Sequence, residues 1–191
     1  MFTKWTKKEI ITAVISFIVF FVLILLTQLP GFLSPLYWCL FPIFAAFFAA
    51  GPITYFAAMK RGIGSAVMIP LLWFLLYKLM GEFGMTMMWV GVLIVLIAGE
   101  TIHILIGCEK LASIRASVPV LCLAPSCNLL PLYFQKKAFL NAALEEMEQS
   151  YVDGLARYGH IWMFCIVTVL CIAAATVSER FTEKLLKITE D

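Results

Sequence analysis

Charge is what this sequence has least of. Only 14% of its 191 residues are Asp, Glu, Lys or Arg, against 63% that are hydrophobic, and the formal net charge is +2. That balance excludes a soluble domain with an ordinary solvated surface, and it leaves no basic face for nucleic acid. Catalytic motifs are missing as well. There is no G-x-S-x-G elbow, no H-E-x-x-H helix and no G-x-x-x-x-G-K-[ST] phosphate loop, so no enzyme activity and no resident cofactor or metal is expected. The paired Glu145-Glu146 resembles half of an intramembrane protease motif, but Ser150 stands where that motif needs arginine. Cys39, Cys108, Cys122, Cys127, Cys165 and Cys171 all lie within apolar runs or at their ends, which argues against a disulfide framework. The step from Cys122 to Cys127 is not a zinc spacing.

What the chain does have is apolar runs of membrane-crossing length. Residues 10–27, 36–58, 62–80, 87–106, 117–134 and 160–177 read as spans close to the ~20 residues a bilayer requires, within a single integral membrane domain covering 1–191. The fold class expected is therefore all-α, with six transmembrane helices. No small-residue cleavage pattern follows the first run, so it reads as a retained helix. In the second, Ala45, Ala46, Ala49 and Ala50 form small-xxx-small pairs that let another helix come close.

The positive charges set the orientation. With the N-terminus in the cytoplasm, Lys4, Lys7, Lys8, Lys60, Arg61, Lys110, Arg115, Arg180, Lys184 and Lys187 lie inside, and Lys78, Lys136, Lys137 and Arg157 lie outside. This obeys the positive-inside rule and makes both termini cytoplasmic, in a multi-pass protein of a cell membrane.

The most unusual stretch is Leu121 to Gln135, LCLAPSCNLLPLYFQ, in the fifth span. Pro125 and Pro131 each lack an N–H, so they release the carbonyls of Leu121 and Cys127. Irregular backbone at membrane depth is tolerated where it is buried in protein or lines a cavity. A small-molecule pocket is expected here, with Ser126, Asn128 and Tyr133 from the break, Met88 and Trp89 from the fourth span, and His160 and Trp162 from the sixth. Asn128 would orient a ligand by hydrogen bonds while Tyr133 and Trp89 stack on it.

Three outer segments could close that pocket. Gln28 to Pro35 is uncharged with two prolines, a candidate lid. Met80, Met85, Met87 and Met88 cluster beside Trp89, which suits an irregular apolar ligand. Residues 138–158 form an amphipathic outer segment: Leu140, Leu144, Met147, Tyr151, Leu155 and Tyr158 recur at helical steps, opposite Glu145, Glu146, Glu148 and Asp153. It reads as one helix ending near Gly159, lying on the lipid interface or covering the pocket mouth. Glu100 and His103 share a face near the cytoplasmic end of the fourth span. They read as a buried brace to Lys60, Arg61 or Arg115, with a role in proton or conformational coupling as the alternative.

The chain resembles a known family. The A-A-x-x-A-A-G-P-I-T-Y-F segment at 45–56, the basic turn and glycine-led third span from Lys60, and above all N-L-L-P-L-Y-F-Q-K-K-A-F at 128–139 are similar to membrane-embedded S components of energy-coupling factor (ECF) transporters. Within them the likeness is to the Trep_Strep, or MptD-like, group. The resemblance implies a protein that captures a vitamin-like or cofactor-like molecule from outside and docks on a transmembrane coupling subunit carrying two ATPase subunits. Members often carry A-x-x-x-A on the first helix for that docking. This chain has Ala13-x-x-x-Phe17, with Thr12-x-x-x-Ser16 as the nearest small pair, so Thr12, Ala13 and Ser16 are the docking candidates. Haem or a related tetrapyrrole is the ligand to which the Met cluster, His160 and the apolar outer loop point. A stand-alone secondary carrier and a non-transport scaffold are the rival readings.

Overall fold

Each helix begins and ends where local chemistry requires it. In the computed structural model, which describes residues 5–79 and 86–188, α1 spans Lys7–Gln28. Thr6 and Glu9 form a reciprocal capping box at its start: the Thr6 N–H donates to Glu9 Oε2 at 2.7 Å and the Glu9 N–H to Thr6 Oγ1 at 3.3 Å. The exposed flank of α1 is Ile10, Ile11, Val14, Ile15 and Ile18, while Thr12 and Ser16 are buried. A soluble helix would reverse that distribution; here the outer solvent is lipid. A 3-10 turn at Leu29–Leu33 leads into α2, Pro35–Lys60, with Pro35 in its first turn and Ser34 as cap. α2 stops at Arg61, which takes a left-handed conformation at φ 39°.

The third segment departs from the expected span. Gly62 to Val67 folds as turns, with Gly64 at φ 84°, and α3 runs only Met68–Leu79. The reason lies in Gly62-Ile63-Gly64-Ser65, a poor helix start whose backbone is claimed by Glu100 and Ser65: the Gly64 N–H donates to Glu100 Oε1 at 2.6 Å. Met80 and Met85 of the expected methionine cluster lie outside the described residues.

α4 spans Thr86–Ile106 and α5 Leu111–Leu121; a 3-10 turn at Ala124–Leu129 and the short α6, Leu130–Phe134, complete the fifth segment. α7 is Lys136–Glu146, α8 Gln149–Tyr158 and α9 Ile161–Leu186. Among the described residues there is no strand, and five segments are long and apolar enough to cross a membrane: Lys7–Leu33, Pro35–Lys60, Thr86–Ile106, Leu111–Phe134 and Ile161–Leu186. Six were expected. The 12 described residues of α3 cover ~18 Å. The last helix runs well past the expected Val177, carrying Glu179 and Glu183 inside the buried face.

The described ends of the chain share one end of the bundle. Lys60 pairs with Glu9 at 2.9 Å and lies over the Trp5 ring, which stacks on Phe56. Arg115 pairs with Glu183 at that same end. α2 and α9 form the spine, since the buried alanines of α2 (Ala45, Ala46, Ala49, Ala50) let α9 approach with Val167, Cys171 and Ala175.

Candidate functional site

The fifth segment breaks where its prolines stand, though each proline serves as a start. Pro125 occupies the first turn of the 3-10 turn and Pro131 the first turn of α6, positions where a missing N–H costs nothing. The Cys127 carbonyl expected to be freed by Pro131 accepts the Leu130 N–H. Leu123 O takes both the Ser126 N–H at 2.9 Å and the Ser126 hydroxyl at 2.6 Å. Ser126 is thereby spent on its own backbone.

The unsatisfied atoms lie further along. Asn128 Oδ1 and the Tyr133 hydroxyl are buried with no hydrogen-bond partner. Buried polar atoms are nearly always paired, so two such atoms beside one helix break stand out; Thr54, Glu100, Thr168 and Glu179 carry others elsewhere among the described residues. The Tyr133 ring packs on Phe164 of α9 at 5.3 Å. α4 is pressed against this break: a Cβ on Gly91 would collide with Leu130 and meet Cys127 Sγ at 3.3 Å. Met88, one turn earlier, is buried, and Trp89 packs edge-on to Phe74 with the Lys78 amine 4.6 Å from its ring centre.

His160 and Trp162 take another position. His160 precedes α9, exposed, with its ring stacked on Trp162 at 6.4 Å, and Trp162 is itself 56% exposed. They form an outward-facing aromatic step, the usual place of such rings at a membrane boundary. Thr12, Ala13 and Ser16 are all buried within the chain itself, on α1, whose main contacts are with α2 and α3.

A two-helix cover lies over the end that holds the break. The amphipathic segment was expected as one helix; it divides at Met147 and Glu148, whose backbones are extended, because α8 turns back to seat on α2. Val152 and Leu155 are buried there, and a Cβ on Gly154 would come within 2.6 Å of Pro35 Cγ. The Tyr151 hydroxyl donates to Gly31 O in the Leu29–Leu33 turn. Burial, with Cys39 nearby as a second cause, pushes the Tyr151 phenol up to about 12, so it remains a donor at ordinary pH. The Lys136 amine donates to Ala156 O at 2.8 Å and Gly159 O at 3.2 Å, tying the start of α7 to the end of α8. Cover and expected lid are thus one bonded structure.

At the other end Glu100 and His103 tie α4 to the turn before α3 and to α5. The Ser113 hydroxyl donates to Lys110 O at 2.7 Å, so it accepts from His103 Nδ1 at 3.0 Å, and Nε2 is left to accept the Ser65 hydroxyl at 3.1 Å. The shown partners are thus the Gly62–Ser65 turn and α5. Lys60 goes to Glu9 and Arg115 to Glu183.

A family model described as a hypothetical bacterial integral membrane protein (Trep_Strep) matches residues 7–188. The chain belongs to the Trep_Strep family. Neither a curated protein nor a solved structure matches it. Membership of the Trep_Strep family and several apolar helices agree on a multi-pass bacterial membrane protein.

Three features of this Trep_Strep chain escaped the sequence reading. Gly91 and Gly99 set the approach of α4 to the fifth segment, a signal present in their two-turn spacing. The bond from Tyr151 to Gly31 joins residues far apart in sequence and left no local trace. Glu179 and Glu183 fell beyond the point where the first charge ended the hydropathy run.

Proposed function

We propose that this chain is the substrate-binding component of an ECF-type importer, taking a vitamin-like or cofactor-like molecule from outside for ATP-driven uptake. The observation that carries the reading is the pair of buried, partnerless atoms, Asn128 Oδ1 and Tyr133 Oη, at a helix break under a bonded cover. In this reading the covered end faces outward and both termini face the cytoplasm, following the distribution of lysine and arginine. Partners are a transmembrane coupling subunit and two ATPase subunits, with Thr12, Ala13 and Ser16 of α1 as the docking candidates, reached if α1 shifts on α2 and α3. The chain is a binding protein and not an enzyme.

The ligand is an apolar molecule with a hydrogen-bond donor for Asn128. Haem fits this site less well. Its axial ligand would have been His160, which is exposed and stacked on the exposed Trp162, and its two carboxylates would need cations, of which Lys136 is already held by carbonyl oxygens.

Native mass spectrometry of the protein released from its own membrane tests the proposal. A stoichiometric small molecule is expected, with or without ATPase partners. Asn128→Ala is expected to weaken its binding about tenfold, the worth of one buried hydrogen bond of ~1.4 kcal/mol, while the ligand-free melting temperature stays unchanged. A chain that carries no ligand but keeps its protein partners would favour the scaffold reading, and ligand affinity unchanged by the substitution would remove Asn128 from the site.

A further inference from the structure

Glu179 of α9 is wholly buried, and neither carboxylate oxygen has a hydrogen-bond partner. One turn later, Glu183 is buried too, but it holds Arg115 of α5 in a fork. Arg115 Nε donates to Oε1 at 2.9 Å and to Oε2 at 3.2 Å, and Nη2 donates to Oε2 at 3.0 Å. Arg180 stands 3.6 Å from the same carboxylate with its side chain half in solvent. Two acids thus face one buried-side guanidinium, and one of them has nothing.

The surroundings decide what Glu179 can be. The charges acting on it are Glu183, Arg180 and Arg115. Just past the end of α5 the titratable neighbour is Cys122, with Cys171 of α9 beside that thiol. α2 presents its buried face of Ala45, Ala46, Ala49, Ala50 and Thr54, and its terminal Lys60 is paired with Glu9. A bare carboxylate in such a wall is strongly disfavoured, so Glu179 carries a proton in this conformation.

We propose that Arg115, Glu179 and Glu183 form a proton-linked switch between two packings of α5 on α9. In the packing seen here the guanidinium sits on Glu183 and the proton on Glu179. In the other, the guanidinium moves one turn, ~6 Å along the helix, to Glu179. The O–H bond of Glu179 breaks, and the proton passes to Glu183 through the water that reaches the Arg115 side chain, which is 33% exposed. One proton and one guanidinium satisfy two carboxylates in either packing, so the cluster keeps its net charge and neither state strands an ion in apolar surroundings. One-turn steps of a helix past its neighbour are an established form of two-state change.

Infrared difference spectra of the full chain in nanodiscs test this through the carboxylic acid C=O band. The native protein is expected to show an acid component that disappears in Glu179→Gln. In Glu183→Gln the same component is expected to disappear, because Arg115 then transfers to Glu179 and ionises it. Glu183→Asp keeps the charge but withdraws it from Arg115 by one methylene, and it is expected to diminish the Glu179 component; this is the variant that decides if Glu183→Gln does not fold. A Glu179 component that persists unchanged when Glu183 is altered would show an inert buried acid and overturn the switch. Absence of any component lost in Glu179→Gln would overturn it too.

Discussion

At Gly99 an added methyl would sit 2.5 Å from Leu121 Cγ and Cδ2, inside the contact between α4 and α5. Branch-point atoms cannot swing aside as a chain end can. Gly99→Ala is therefore expected to destabilise the protein by ~1–3 kcal/mol, seen as a lower melting temperature in detergent, and Leu121→Ala in the same chain is expected to recover part of the loss. Tyr151 gives a prediction with a pH sign. Its phenol is pushed up to about 12 by burial, so the folded state favours the neutral, donating form. Its contribution is whole below the unfolded value near 10 and is lost as pH rises towards about 12. Between those limits the native protein is expected to lose melting temperature faster than Tyr151→Phe, which has no hydroxyl to ionise; parallel curves would remove Tyr151 from the alkaline response. The irregular backbone around Asn128 and Tyr133 was legible in sequence because two prolines stand in an apolar run. Glu179 was hidden for the opposite reason: a carboxyl after Ser178 looks like the end of a span, and only the packing of α9 on α2 and α5 shows it buried.

α7 and α8 act together as an element. Lys136 joins their outer ends, and Gly154 lets α8 lie against the stiff ring of Pro35. Gly154→Val is expected to lift α8 from α2, and trypsin should then cut at Lys137 and Arg157 faster than in the native protein, with the spans intact; an unchanged rate would mean that α8 is held by other contacts. The amphipathic pattern from Leu140 to Tyr158 was readable, since apolar residues at helical steps need a surface to cover. Its division at Met147 was not, because nothing local forbids a helix there; the turn serves the distant seat on Pro35. The third segment shows the converse. Its hydropathy announces a span, yet a glycine pair and the claim of Glu100 on the Gly64 N–H convert the first six residues, 62–67, into turns.

For the molecule as a whole, the shared position of the first and last described residues makes orientation measurable. Single cysteines at Asn141 and Lys184, both exposed, in a background free of the native cysteines, are expected to separate on intact cells: an impermeant thiol reagent labels Asn141→Cys and leaves Lys184→Cys unmodified. The reverse pattern would invert the proposed topology. The long spans were legible because lipid demands apolar length; how they pack was not, because a lipid-facing leucine and a buried one are the same letter. The turn ahead of α3 carries a further consequence. Backbone that is not helical must find partners wherever water is scarce, and here the Glu100 carboxylate of α4 takes the Gly64 N–H. One acid on a neighbouring helix thus stands in for the missing helical turn, and the third segment can begin irregularly beside lipid because the fourth supplies what its own backbone lacks.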